Sequence, residues 1–263
     1  MSHRSSKLRH LVAIAASLSL GSAVHAAQIN LTITAENLAP ANSISFAPLH
    51  FGIHNGSFDA FNIGQVATAP IISVAEGGGG MAWQAAFALA DPLATRGTIG
   101  MPLFPGMTRS LTVMVDTAIN PFFTFASMAI PSNDFFIGND SPTRFSLFNP
   151  DGSLRITSIN QKASQIWDAG SEVFDPAAAA FVGDNSLRAP QNSVVAFNFA
   201  EFSGFNGFPT AAGYTFNSAL TAETDVYRIS FSAAPIPEPE VYALMLSGIM
   251  LIGAVARRRR GKA

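Results

Sequence analysis

Cysteine is absent from the 263 residues. The chain therefore has no disulfide framework, no thiolate metal site and no cysteine nucleophile. Charge is scarce too, at 12% of residues, with 15 Lys and Arg against 17 Asp and Glu. That balance supplies no basic surface for nucleic acid. Low charge beside 48% hydrophobic residues also excludes an intrinsically disordered chain. Several catalytic signatures are missing: the Gly-x-Ser-x-Gly elbow, His-Glu-x-x-His, the phosphate-binding loop and the dinucleotide glycine fingerprint. Gly77 to Gly80 is glycine-rich but lacks the Lys and the strand–helix setting of a phosphate loop. The length fits one domain with small appendages. What the chain does have is 22 Phe, 21 Gly and 16 Pro.

Both ends read as addresses. Residues 1–26 carry Arg4, Lys7 and Arg9, then the mostly apolar run Leu11 to Ala23, then Val24-His25-Ala26. A basic flank, an apolar stretch of this length and small residues before a polar turn make a secretory signal peptide. At the other end, residues 235–263 begin with Pro235-Ile236-Pro237-Glu238-Pro239-Glu240, a stiff, helix-breaking spacer. An uncharged, largely apolar segment, 241–256, follows, and then Arg257 to Arg260. The segment is slightly short for a bilayer span, a shortfall that bilayer thinning and Arg snorkelling can cover. The Arg cluster belongs on the cytoplasmic side, which places the preceding domain outside. Pro237-Glu238-Pro239, the span and the Arg cluster together resemble the PEP-CTERM sorting signal of Gram-negative bacteria. The resemblance implies an exosortase as processing partner, a membrane element that acts only before processing, and a protein exported to the cell envelope or beyond. Between the two ends, residues 27–236 hold 7 basic and 15 acidic residues, a net charge of −8. Such a domain repels nucleic acid and anionic lipid and attracts divalent cations.

Within 27–234 the hydrophobic pattern has period two. Ile29, Leu31 and Ile33 alternate with polar residues; Leu111, Val113 and Val115 do so with only Met114 interrupting; Phe145 and Leu147 straddle Ser146; Val195, Phe197 and Phe199 flank Ala196 and Asn198; and Tyr227, Ile229 and Phe231 flank Arg228 and Ser230. Each reads as a half-buried strand. Asn55-Gly56, Gly77 to Gly80, Asn149 to Gly152, and Gly204 with Gly207 read as turns between them. A helical period appears only weakly, over Met81 to Leu89 and Ser158 to Trp167. The pattern predicts an all-β fold of two packed antiparallel sheets, with Phe filling the core.

Few residues are left for chemistry. The exported part has two histidines, His50 and His54. Their four-residue spacing would place them together on a helix, but Pro48-Leu49-His50-Phe51-Gly52-Ile53-His54-Asn55-Gly56 reads as strand or loop. They are expected to be structural or hydrogen-bonded rather than metal ligands. The acids are more informative. Asp134 lies in Ile130-Pro131-Ser132-Asn133-Asp134-Phe135, and Asp168 and Glu172 lie in Trp167-Asp168-Ala169-Gly170-Ser171-Glu172. A turn at Gly170 can fold Asp168 toward Glu172, with Asp134 approaching from a neighbouring loop. Calcium asks for several such oxygens together. Asp residues in loops also cap turns without any ion, and spacing alone does not separate the two. The pattern is not that of an EF-hand.

At these residues the chain resembles the spondin N-terminal domain, known from F-spondin and mindin and also found in bacteria. Phe46-Ala47-Pro48 with His54, Val74-Ala75-Glu76-Gly77-Gly78, Pro131-Ser132-Asn133-Asp134-Phe135 with Gly138, and Trp167 to Glu172 follow that family's motifs in order. The resemblance spans about residues 28–232. It implies a C2-like antiparallel β-sandwich and a bound calcium with Asp134, Asp168 and Glu172 as its ligands. Glu172 stands where the animal proteins have Asp, and the animal cysteines are missing. Asp140, in a segment inserted between the two acidic motifs, is expected to serve a turn. The reading that follows is a non-catalytic, calcium-binding module of adhesion or of extracellular matrix, with exopolysaccharide or cell-surface proteins as partners. The alternatives are a purely structural matrix protein, or a glycan hydrolase that uses Asp134 with Asp168 or Glu172 as an acid–base pair.

Overall fold

A computed structural model describes residues 28–236, 246–250 and 252. The signal peptide, Pro237-Glu238-Pro239 and the Arg257 to Arg260 cluster lie outside the described residues, as does most of the expected span. Residues 246–250 are helical. Among the described residues no helix is long and apolar enough to cross a membrane.

Strand β1 (Gln28–Asn37) shows how the sequence pattern becomes structure. Ile29, Leu31, Ile33 and Ala35 are buried, and the residues between them face outward. That is the period of a pleated strand with one wet face. It pairs on one side with β5 (Thr108–Asp116) and on the other with β12 (Asp225–Pro235), which also pairs with β9 (Ser158–Lys162). These four make one antiparallel sheet in the order β5-β1-β12-β9. On its exposed face Thr32 meets Thr112 and Thr34 meets Ser110, each hydroxyl pair 2.8 Å apart.

The second sheet is larger. It runs β11 (Ala196–Phe197), β10 (Trp167–Asp168), β7 (Phe135–Gly138), β6 (Phe122–Ile130), β3 (Leu49–His54), β4 (Thr95–Ile99). Two short strands, β2 (Ser45–Phe46) and β8 (Phe145–Ser146), also pair with β6. The described pairings of this sheet are antiparallel as well. The molecule is thus an all-β antiparallel sandwich. Between the sheets, Leu31, Ile33, Ile229 and Phe231 of the small sheet meet Phe51, Phe123 and Phe125 of the large one. Phe123 stacks on Phe51 at 6.0 Å and takes Phe231 edge-on at 5.0 Å. Each buried Phe contributes roughly 1.5–3 kcal/mol, which lets the fold do without disulfides.

A second layer covers the outer face of the large sheet. Helix α1 (Ala69–Gly77) and helix α2 (Met81–Ala90) place Ile71, Val74, Trp83 and Phe87 against Ala126, Phe136 and Trp167. Strand β6 is therefore buried on both faces. Pro70 opens α1, and Gly78 closes it at φ 67°, its N–H bonding the Val74 carbonyl at 2.8 Å. This is a left-handed C-cap, for which glycine is the favoured residue. The glycine run after Glu76 is a helix–helix connection.

Three expectations need correction. Residues 158–167 are not helical. They form β9, a short 3-10 turn at Ala163–Gln165, and β10. Their spacing imitates a helix because a strand with an Ile159 core contact runs directly into a turn that buries Ala163 and Ile166. Residues 195–199 hold only the two-residue strand β11 before another 3-10 segment, Phe199–Phe205. The region around Gly204 belongs to that 3-10 segment, which packs Phe202 and Phe205 into the core.

Candidate functional site

The two acidic motifs meet because β7 and β10 are neighbours. Trp167 pairs with Phe136 and Asp168 with Phe135, so Asp134 emerges at the end of β7 beside Asp168 at the end of β10. The loop before β7 is fastened first. Ser132 Oγ donates to the Ala129 carbonyl at 2.6 Å and accepts from Phe135 N at 3.0 Å. Asn133 exchanges two hydrogen bonds with the backbone of Asp175. Opposite it, Gly170 takes φ +66°, and a Cβ there would lie 2.8 Å from the Ser193 backbone. Only glycine fits both demands.

Asp134 is 2% exposed and sits at the centre. Its Oδ2 accepts hydrogen bonds from Ser171 N at 2.7 Å, Ser171 Oγ at 3.1 Å and Glu172 N at 3.0 Å. Its backbone carbonyl accepts from Ala169 N at 3.1 Å. Burial, followed by the nearby Asp168 charge, raises its carboxyl to about 6 against the pull of those hydrogen bonds. Asp168 is half-buried. Its Oδ1 accepts from Gly170 N at 2.7 Å and its Oδ2 from Asn198 Nδ2 at 3.3 Å. Glu201 stands beyond Asn198, and burial with the Asp168 charge raises its carboxyl too.

Glu172 contributes its backbone to the Asp134 cluster while its side chain meets Arg188. Oε1 lies 3.4 Å from the guanidinium, and Oε2 is buried with no N–H or hydroxyl donor to it among the described residues. Burial raises this carboxyl to about 7; Arg188 opposes the shift, and the Glu76 and Asp134 charges, with a close approach of the Glu76 carboxyl, add to it. Arg188 also donates to the Glu76 carbonyl at 3.1 Å.

The structure therefore joins Asp134 to Asp168 and to the backbone of Glu172, whereas the Glu172 carboxylate pairs with Arg188. Among the described residues no three His, Cys, Asp or Glu side chains are gathered into a metal-holding group. The donor chemistry nevertheless suits a hard cation. The donors are carboxylate oxygens, two of the acids are held above their usual pKa by burial and by neighbouring carboxylates, and one carboxylate oxygen is buried with no N–H or hydroxyl donor to it among the described residues. Asp140 follows β7 in a turn and has no part in this cluster.

The histidines take the structural role expected of them. They occupy the face of β3 that meets α2. His54 bonds Thr124 Oγ1 at 2.9 Å and lies edge-on to Phe87, and His50 bonds Thr98 Oγ1 and the Gly78 carbonyl. Sequence reasoning missed Arg188, Asn198 and Glu201. Arg188 lies in no motif and reaches the site only through the fold. Glu76 was visible in the Val-Ala-Glu-Gly-Gly stretch but carried no assigned role.

No known protein-family model matches the chain, and no curated protein matches its sequence.

Proposed function

We propose that the chain is an exported, non-catalytic calcium-binding module of the spondin N-terminal type, serving adhesion or matrix association at the envelope of a Gram-negative bacterium. The observation that carries this reading is the abutting pair Asp134 and Asp168. These two carboxylates on adjoining strand ends raise the protonation of Asp134, and the guanidinium in the cluster is spent on Glu172. A divalent cation would relieve that repulsion and tie the 131–134 and 168–172 loops together. Asp134 and Asp168 would hold it, and Glu172 would join through its Oε2, the oxygen turned from Arg188. The net charge of −8 supports cation capture over lipid docking. The non-catalytic reading is supported by the enclosure of Asp134, whose Oδ2 already accepts three hydrogen bonds. In this reading the C-terminal signal brings the protein to an exosortase, and exopolysaccharide or cell-surface proteins are its partners.

Calcium titration with thermal unfolding tests it. A ligand at one hundred times its Kd stabilises by about 2.7 kcal/mol, which raises the midpoint of a domain this size by about 5 °C or more. Chelator should abolish that rise, and so should Asp168→Asn. A midpoint indifferent to both calcium and chelator would defeat the proposal.

A further inference from the structure

A second site stands at the seam where the edges of the two sheets meet. Strand β9 is the edge of the small sheet and β11 the edge of the large one. Between them opens a cavity of about 480 Å³. Its volume falls in the range of small-ligand sites.

The wall of this cavity has two chemistries. One side is aromatic: Phe197, 46% exposed, lies face to face with Trp167, ring centroids 3.8 Å apart and planes 25° from parallel. Trp167 is anchored by its Nε1, which donates to the Gly138 carbonyl at 3.2 Å, and by Phe61 edge-on at 5.2 Å. The platform is therefore rigid. The other side is polar. Gln161, Gln165 and Ser164 come from β9 and the turn after it, and Asp140 and Arg144 come from the loop after β7. Gln161 is 5% exposed, an amide held at the cavity wall by the sheet. Arg144 is exposed, lies 5.7 Å over the Phe145 ring, and forms no ion pair among the described residues.

An exposed aromatic face that shares one cavity with amides, a hydroxyl, a carboxylate and a guanidinium matches a sugar ring, which presents C–H groups on one face and hydroxyls around its rim. Gln161 Nε2 already donates to the Asn160 carbonyl at 3.3 Å and Gln165 Oε1 accepts from Lys162 N at 2.9 Å. A purely apolar ligand would leave Gln161 Oε1 and Gln165 Nε2 without a partner, at a cost of about 1–3 kcal/mol each. A phosphorylated ligand would face Asp140 and a domain of net charge −8. We infer that this cavity binds one or two hexose units of a polysaccharide, with Phe197 as the stacking face and Gln161, Gln165, Asp140 and Arg144 as hydroxyl partners. The inference rests on the matrix-association reading for the source of the sugar, and on the cavity alone for its chemistry.

The test uses the full chain and soluble probes: maltotriose, cellotriose and a galactose trisaccharide. Binding is followed by saturation-transfer NMR and by tryptophan fluorescence, since Trp167 is in the wall. One of the probes should bind, and Phe197→Ala and Arg144→Ala should each weaken it at least tenfold. Calcium-dependent thermal stabilisation, measured in parallel, should persist in both variants. Binding that survives both substitutions overturns the assignment to this cavity. Failure of all probes alongside intact calcium stabilisation overturns this inference and leaves the calcium reading standing. Sugar binding without any response to calcium supports it and removes the calcium reading instead.

Discussion

The Oδ2 of Asp134 accepts a hydrogen bond from the backbone N–H of Glu172 at 3.0 Å, across 38 residues of chain. The carboxylate that reads as a metal ligand is therefore also a brace for the opposite loop. The two roles make different demands. A brace needs an acceptor oxygen, whereas a cation needs negative charge.

Substitution separates them. Asp134→Ala leaves the buried N–H of Glu172 and the neighbouring N–H of Ser171 without acceptors. Each such loss costs about 1–3 kcal/mol, so the variant should unfold at markedly lower urea even in chelator. Asp134→Asn keeps an acceptor oxygen. It should stay within about 1 kcal/mol of the parent in chelator and lose the calcium-induced gain. If the two variants were equally unstable in chelator, the brace would depend on charge and not on acceptance.

The pH dependence should change sign with calcium. Asp134 and Glu172 have folded-state pKa values raised to about 6 and about 7, chiefly by burial. A raised carboxyl favours folding most below its unfolded pKa, and that contribution is lost as pH rises through the folded value. His54 works the other way. Burial lowers it to about 4 against the pull of Asp91, so its contribution is complete above pH 6.5 and is lost as pH falls through 4. Burial lowers His50 in the same sense and raises Glu201 along with the two acids. Three raised carboxyls then oppose two lowered imidazoles, so in chelator the unfolding midpoint should fall between pH 5 and pH 6, where Asp134 and Glu172 both still hold protons in the folded state. Saturating calcium keeps Asp134 and Glu172 ionised and removes their share of that fall, leaving the upward slope of His50 and His54 against Glu201 alone. Melting curves at pH 5, 6 and 7 with and without calcium decide the matter. A midpoint that climbs with pH in chelator would contradict the burial of these acids.

Tyr227 carries a hydroxyl that is buried without a partner among the described residues. Its ring meets Phe46 edge-on at 4.6 Å, and burial pushes its phenol well above the ordinary value. Tyr227→Phe keeps the ring contact and removes an unsatisfied donor. The variant should be more stable by about 1 kcal/mol, with a midpoint higher by about 2–4 °C. A less stable Tyr227→Phe would mean that the hydroxyl has a partner, such as an enclosed water.

How much of this was legible in the sequence depended on which faces are wet. Strands β1, β5 and β12 have one solvent face, and their alternation named them directly. Strand β6 was not legible, because α1 and α2 cover its outer face and Phe122 to Ile130 has no polar alternation to read. Residues 158–167 misled because the step from strand to 3-10 turn spaces Ile159, Ala163 and Ile166 like a helix. At the site, Asp134, Asp168 and Glu172 stood in short motifs beside Pro and Gly, so they were visible. Arg188 was not, since its partnership with Glu172 is made by the return of the chain through residues 173–187. The sugar cavity was invisible for the same reason. Its residues come from four separate segments, and only Gly138 and Trp167 belonged to a motif.

Gly52 tests the layer that the sequence hid. It lies in β3 between His50 and His54, on the face toward α2. A Cβ placed there would meet the Phe87 ring at 2.1 Å. Phe87 cannot move aside freely, since it is fully buried, stacks on Phe58 at 4.0 Å and takes His54 edge-on at 5.1 Å. An alanine in a strand would ordinarily be no worse than glycine, because glycine loses more chain entropy on folding. Here overpacking dominates, at about 1–3 kcal/mol. Gly52→Ala should therefore lower stability by about 2 kcal/mol, and Phe87→Leu alone should also cost stability through lost packing. Combined, the two should cost less than the sum of the singles, because the smaller side chain gives the new methyl room. Contacting residues commonly show coupling of about 0.5–3 kcal/mol. Strict additivity in a urea double-mutant cycle would mean that α2 does not press on β3 at this point, and the helical layer over the histidine face would have to be redrawn.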